Sequence, residues 1–278
     1  MKLNSKKRGN SMSGKVSFYE FHQKKQPLVL INVWDDESVR ILDENKVAVV
    51  ATSSYALSDS MGIQDGENIS FKELVEIEKN IHNSSLSVDI ESGYADNLST
   101  LQKNIESILN RNIAGINIED KYPNTNQLMD KADFTQRLRL IKQTDQANKL
   151  FINARTDIFF YGDIEEKNKD THLLSEAISL INDYHEAGAD GIFIPGLYNK
   201  NFIEKISKEV NLPVNIMLTI KLDRIEDYLD LGVSRISYGP SIYLDWQDSH
   251  LSKTVYLSKL IRKVKELQNQ GKVRLTLE

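Results

Sequence analysis

Residues 171–196 read THLLSEAISLINDYHEAGADGIFIPG, and this one stretch holds a complete structural repeat. From Thr171 to Ala187 the apolar residues recur at helical spacing. Ala187-Gly188-Ala189-Asp190 then reads as a helix stop leading into the next strand, because glycine takes the left-handed conformation that closes a helix at little steric cost. Gly191-Ile192-Phe193-Ile194 follows as a short apolar run without polar alternation, the pattern of a strand buried on both faces of a parallel sheet.

Outward from there the same unit recurs. Short apolar runs appear at LVLINVW (28–34), VAVVATSS (47–54), LSVDIES (86–92), GINIED (115–120), KLFINART (149–156), GIFIPG (191–196), PVNIMLT (213–219) and RISYGP (235–240). Helix-like segments lie between them: Glu37–Asn45, Phe71–His82, Leu98–Asn112, Phe134–Gln146, Thr171–Ala187, Lys200–Glu209 and Leu222–Leu231. Leu231-Gly232-Val233 repeats the stop signal. Eight such units in 278 residues predict an α/β fold, a (β/α)8 TIM barrel. A doubly wound open sheet is the competitor, but no Gly-rich dinucleotide fingerprint follows the first strand. Leu257, Leu260, Ile261, Val264 and Leu267 place an additional amphipathic helix at Leu251–Gln268, covering the barrel or a partner subunit. Residues 1–15, MKLNSKKRGNSMSGK, read as a disordered polar tail, and residues 16–278 as a single barrel domain.

Composition excludes several function classes. Lys and Arg number 35 against 40 Asp and Glu, a formal net charge of −5, which argues against a general nucleic-acid or anionic-membrane binder. No apolar run approaches the ~20 residues needed to span a bilayer, and the basic N-terminus has no apolar stretch behind it. A cytoplasmic enzyme is the expectation. There is no cysteine, which removes disulfides, thiolate zinc sites, iron–sulfur clusters and cysteine nucleophiles.

In such barrels the chemistry sits at the carboxyl ends of the strands. Asp89 and Glu91 are two residues apart at the end of strand three, so both point to the same face of the strand. Glu119 ends the next strand, and Asp65 lies in the loop after strand two. Carboxylates converging on one barrel mouth repel one another and raise their own pKa values. A divalent cation removes that cost, and hard oxygen ligands without paired histidines favour Mg2+, or Mn2+, over zinc. The alternative is that these acids cap helices or pair with rim lysines. Arg155 suits a bidentate grip on a substrate carboxylate or phosphonate, or a salt bridge with Asp157 or Glu119. Ser53 and Ser54 end strand two, where they bind the same anion or serve ordinary turn chemistry. The histidines fall in tails or helices and are assigned no catalytic role. Lys121 and Lys221 lie just past strand ends, which disfavours a Schiff-base aldolase.

The chain resembles the phosphoenolpyruvate mutase / isocitrate lyase superfamily from about Pro27 to Trp246. The matching pieces are NVWDDESVR (32–40), ATSSYALSDSMGIQDG (51–66), VDIESGYAD (88–96), AGINIEDK (114–121), NARTD (153–157), AGADGIFIPG (187–196) and LGVSRISYGP (231–240), and their order and spacing are specific. The resemblance implies a magnesium-dependent enzyme that makes or breaks a C–C or P–C bond beside a 2-oxo carboxylate through a pyruvate-like enolate. On the family pattern Asp89 is the direct metal ligand, and Asp65, Glu91 and Glu119 hold its waters. Ser53 and Ser54 bind substrate oxygens with Trp34 and Asp65 beside them, and Arg155 grips the substrate and stabilises developing charge. The resemblance also implies a homodimer or homotetramer exchanging the last helix, here Leu251–Gln268.

Two departures narrow the activity. Isocitrate and methylisocitrate lyases carry a cysteine general acid in the loop after strand four, where this chain has Lys121-Tyr122-Pro123-Asn124-Thr125-Asn126-Gln127 and no cysteine. The phosphonopyruvate-type enzymes carry Lys-Thr-Asn there, against Asn124-Thr125-Asn126, and a histidine where this chain has Pro195. The expectation is therefore the carboxyphosphonoenolpyruvate phosphonomutase-like branch: a lyase or hydrolase acting on a small 2-oxo or 2-hydroxy dicarboxylate. Solvent, or a loop group such as Tyr55 or Asn126, handles the proton in this reading, although Tyr55 equally suits a packed aromatic. A phosphonomutase or phosphonopyruvate hydrolase is one alternative, and a non-catalytic 2-oxo-acid-binding barrel is another. The polar stretch Lys121–Asp130 suits a lid.

Overall fold

The apolar runs become nine parallel strands of a single sheet in the computed structural model, which describes residues 18–276 except Gln23, Asn83 and Asn126. The tail expected over residues 1–15 lies outside the described residues. The first run is split at Leu30 into β1 (Leu28–Val29) and β2 (Ile31–Val33). Then follow β3 (Val49–Thr52), β4 (Ser85–Asp89), β5 (Gly115–Glu119), β6 (Phe151–Arg155), β7 (Gly191–Ile194), β8 (Val214–Met217) and β9 (Arg235–Ser237). β1 pairs with β9 while β2 pairs with β3, so the split first run bridges the two edges of the sheet and nearly closes it into a barrel.

The flanking helices are α1 (Asp36–Glu44), α2 (Ser54–Ser60), α3 (Phe71–Glu76), α4 (Leu98–Leu109), α5 (Lys131–Thr144), α6 (Ile164–Lys167), α7 (Thr171–Glu186), α8 (Lys200–Glu209), α9 (Ser241–Ser249) and α10 (Lys253–Asn269). Most begin on a side-chain cap. Asp35 accepts from Ser38 N in a full capping box, and Asn97, Asp170, Asn199 and Ser252 cap α4, α7, α8 and α10. The helix expected at Leu222–Leu231 is instead a 3-10 turn, Ile225–Leu231. The Asp223 carboxylate accepts from Thr219 N at 2.7 Å and from Tyr228 Oη at 2.9 Å, so local polar groups are committed to a turn. The segment Phe71–His82 is helical only to Glu76 and tightens to 3-10 over Ile77–Asn80.

Outward-facing strand residues such as Ile116, Ile152, Ile192 and Ile216 are fully buried beneath the helices. Inside the barrel, Phe18, Phe21, Leu28, Leu30, Val49 and Phe151 close the end where the strands begin. His22 belongs to this plug, stacked on Phe151 at 4.3 Å, rather than to a tail or a helix. α10 packs on α1 of its own barrel, burying Tyr256, Leu257, Leu260, Ile261, Val264 and Leu267. Each fully buried Leu or Ile there contributes about 2 kcal/mol.

Candidate active site

Inward and outward residues alternate along each strand, so register decides what the barrel interior contains. The layer at the carboxyl ends carries Asn32, Asp89, Glu119, Arg155, Phe193, Met217 and Ser237 around a cavity of about 210 Å3. Asp65, Glu91, Ser53, Ser54, Tyr55, Lys121, Phe160 and Tyr161 complete its wall. Asp65 and Lys121 also line an outer cleft of about 490 Å3 between the 64–68 and 121–125 loops.

All four expected acids line the barrel mouth, but Glu91 does not reach it through a continuous strand. β4 ends at Asp89, and Glu91 stands in the left-handed region at φ 46. For a non-glycine residue this costs about 1–2 kcal/mol, strain of the kind stored at functional sites. Asp89 N donates to Thr52 Oγ1 (2.8 Å), and Asp89 accepts from Ser54 Oγ (3.3 Å) and Glu91 N (3.3 Å). Glu91 accepts from Glu67 N at 2.9 Å and from Tyr94 Oη at 3.4 Å. Ser53 caps α2, its Oγ accepting from Ala56 N.

The electrostatics are those of a crowded acidic pocket. Burial, with Glu119 and Asp65 adding to it and Arg155 opposing, pushes Asp89 up to about 6. Burial and the charges of Asp89, Asp65 and Glu119 push Glu91 up to about 8. Asp65 is also raised, chiefly by burial. On the other side, Arg155 forms a two-pronged pair with Asp157 (Nε–Oδ1 2.6 Å, Nη2–Oδ2 2.9 Å) and a third contact to Glu119 (3.1 Å). Both salt-bridge partners anticipated for Arg155 are thus engaged. A guanidinium has five N–H donors, so two remain for a ligand. Lys121 Nζ lies 2.9 Å from Glu119, whose charge outweighs burial and holds the ammonium above its ordinary range.

Among the described residues no three His, Cys, Asp or Glu side chains converge tightly enough to enclose an ion by themselves. The donor set still suits a hard divalent cation: all-oxygen, buried and mutually repelling. Asp65, Asp89, Glu91 and Glu119 face the same cavity. Such a site would hold an ion through one or two carboxylates, with the others reaching it through water, as Mg2+ prefers.

Other expected residues are placed differently. Tyr55 sits on α2 at the cavity rim, 39% exposed. Asn126 lies outside the described residues. Trp34 does not join the cavity: past the end of β2 its ring packs against Tyr243 and Trp246 at 5.3 and 5.4 Å, lining a separate surface cleft. Sequence reasoning placed Lys121 just past a strand end without a role in the site, and left out Phe160 and Tyr161. The last two are carried in by a loop that depends on Gly196 at φ +78, where a Cβ would stand 2.5 Å from the Phe159 carbonyl oxygen. It also left out a polar layer below the carboxylates, Asn117, Asn153, Asn215 and Arg235. The signal was present: an asparagine stands between two apolar residues at 31–33, 116–118, 152–154 and 214–216.

Residues 18–254 match the family described as phosphoenolpyruvate phosphomutase. The chain belongs to the phosphoenolpyruvate phosphomutase family. A crystal structure from Burkholderia cenocepacia J2315, described as a "putative phosphonomutase", is 32% identical, with TM-score 0.80, covering 91% of this chain and 100% of that one. The uncharacterized protein MT2054 of Mycobacterium tuberculosis (strain CDC 1551 / Oshkosh) is 29% identical over 82% of this chain and 83% of its own. A 2-methylisocitrate lyase of Halalkalibacterium halodurans is 28% identical over 60% of this chain and 55% of its own length. The phosphoenolpyruvate phosphomutase family thus sits in the superfamily that the sequence motifs pointed to, one of mutases and lyases. No described helix is long and apolar enough to cross a membrane.

Proposed function

We propose that the protein is a Mg2+-dependent lyase or hydrolase that cleaves a C–C bond beside the carbonyl or hydroxyl of a small 2-oxo or 2-hydroxy dicarboxylate. The observation that carries this is the single small cavity in which Asp65, Asp89, Glu91 and Glu119 face Arg155 and Lys121. Against these four carboxylates stand three cations, since Arg235 also lines the cavity, and the negative charge left over suits a divalent ion; the cavity is below the ~300 Å3 at which pockets for larger ligands begin. Asp89 would hold the ion, and Asp65, Glu91 and Glu119 would hold its waters. When bound, such an ion polarises a substrate oxygen as a Lewis acid.

The chain's own residues supply the rest. Ser53 and Ser54, at the start of α2, orient the substrate carboxylate. The two remaining donors of Arg155 meet the negative charge that develops as the bonding pair moves into an enolate, and Asp157 and Glu119 hold that guanidinium in place beforehand. Phe160 and Phe193, against the Arg155 guanidinium at 5.4 and 5.8 Å, keep water from it. Lys121 and Tyr161 line the cavity and stay protonated at neutral pH, which makes them proton donors alongside Tyr55. With no cysteine in the chain, the proton comes from an oxygen or nitrogen acid.

The test is NMR of the protein with Mg2+ and oxaloacetate, 2-oxoglutarate, malate-type acids and phosphonopyruvate in turn. Two carbon fragments formed from one acid, and none without metal, support the proposal. A second reading, P–C bond chemistry, is favoured by the family's description and by the 32% identical phosphonomutase-like structure. Conversion of phosphonopyruvate alone, read by 31P NMR, would decide for it.

A further inference from the structure

The candidate cavity has two unlike sides. Asp89 and Glu119 stand at the ends of β4 and β5, whereas Met217 ends β8. Counting the split first run as one position, β8 stands four places from β4 in either direction around the sheet, so Met217 lies across the barrel from Asp89. On that far side the wall includes Phe193, Met217 and Pro240, none of which carries a charge or a side-chain donor for an acid.

Met217 and Pro240 are also walls of a second cavity. It encloses about 260 Å3 at the same carboxyl end of the strands, and Leu218, Ile220, Tyr238 and Leu244 supply the rest of its apolar surface. Its polar groups are committed to one another. Ser241 Oγ accepts from Ile220 N at 2.7 Å, Lys221 Nζ pairs with Asp245 at 3.2 Å, and Tyr256 Oη donates to Asp245 at 2.7 Å. A rim with its charges already paired does not call for an ionic ligand, and the remaining surface suits an apolar one. The partition between the two cavities is adaptable on one side. Methionine is unbranched with three rotatable bonds, so its thioether follows the shape of what lies beside it. Gly239, at φ +51, gives that thioether its room, since a Cβ there would stand 2.7 Å from Met217 Sδ.

We propose that the pocket behind Met217 and Pro240 is a substrate subsite for an alkyl chain, longer than a methyl group, on the carbon next to the 2-oxo group of the acid held at the mouth. This rests on the function proposed above and narrows its substrate class. The reacting head occupies the cavity of about 210 Å3, and the chain runs across the barrel past Met217 into the side pocket. The substrate's own chain is the occupant because the two cavities share two walls, and because the shared walls are the uncharged ones opposite the carboxylates.

The experiment is calorimetric titration, with Mg2+, of pyruvate, 2-oxobutyrate, 2-oxovalerate and 2-oxohexanoate, with oxalate alongside as a probe that has no chain. Wild-type protein is compared with Leu244→Glu, which sets a charge in the side pocket, and Leu244→Trp, which narrows it. Leu244, on α9, is 40% exposed and lines the side pocket but not the candidate active site. The expected wild-type affinity rises about threefold for each added methylene, roughly 30-fold from pyruvate to 2-oxohexanoate. Both variants lose most of that rise and bind pyruvate and oxalate as wild type does. A series that stays flat in wild type would leave the pocket to another occupant, such as the exposed Leu222 beside it, and overturn the proposal. A rise that survives both substitutions would seat the chain elsewhere and overturn it too. Oxalate bound with Mg2+ beside a flat series removes the subsite and leaves the proposed reaction standing. Oxalate left unbound removes the reaction, and the series then decides the pocket by itself: a rise lost in both variants keeps the subsite, and no rise overturns it.

Discussion

Asp89→Asn should make the metal-free protein more stable while removing its response to metal. In the wild type Asp89 is fully buried among other acids, which raises its pKa from 3.8 to about 6. The folded state therefore binds this proton more tightly than the unfolded chain, and stability falls as pH rises from about 4 through about 6. Above that range the ionised group costs about 3 kcal/mol. Asparagine removes the charge at nearly constant shape. Its Oδ1 still accepts from Glu91 N, and its amide donates to Ser54 Oγ, which can accept as well as donate. At pH 8 the variant should melt about 5–10 °C above metal-free wild type. At pH 4 the two should coincide, because wild-type Asp89 is then protonated. Added Mg2+ should raise the wild-type melting point at pH 8 and leave that of the variant unchanged. Differential scanning calorimetry at both pH values reads all four quantities. A variant less stable than wild type at pH 8, or one stabilised by Mg2+ as the wild type is, would refute the reasoning.

Arg155→Lys keeps the charge but loses the two-pronged grip on Asp157, and turnover of whichever acid is cleaved should fall about 10²–10³-fold, with the melting point changed far less. Tyr184→Phe removes the hydroxyl that donates to Asp120 Oδ2 at 2.7 Å; Asp120 also accepts from Asp157 N, so denaturant unfolding should show a loss of about 1–3 kcal/mol. An unchanged midpoint would mean that water replaces the hydroxyl. Gly196→Ala sets a Cβ against the Phe159 carbonyl at a left-handed backbone position, and should lower both stability and substrate affinity by displacing the loop that carries Phe160 and Tyr161. Wild-type affinity in that variant would show that the loop does not shape the cavity.

The barrel was legible because parallel strands buried on both faces write themselves as apolar runs, and each of the eight expected runs contains a strand. The short helices α2 and α9 were not, since SYALSDS and SIYLDWQDS mix polar and apolar residues over two turns without a clear stripe. At the site, Asp89, Glu119 and Arg155 could be placed from their position at strand ends. Glu91 reached the cavity for a different reason than expected, since its left-handed backbone is a product of the tertiary turn at Ser92–Gly93 and not of strand alternation. Trp34 was expected beside the substrate on the resemblance alone, and its ring packs with Tyr243 and Trp246 outside the cavity. Arg235 was overlooked because attention to strand ends passes over a charge one layer deeper, although an arginine leading the apolar run RISYGP is unusual for a barrel interior.

The central claim is that this pocket is a metal-dependent site for a 2-oxo acid and its enolate. Oxalate, a planar dianion shaped like the enolate of pyruvate, tests it most directly by calorimetric titration with and without Mg2+. The account predicts binding of oxalate in the presence of Mg2+, at least tenfold weaker without it, and lost in Asp89→Asn. Oxalate binding that is indifferent to Mg2+, or absent even when the metal is saturating, would contradict it.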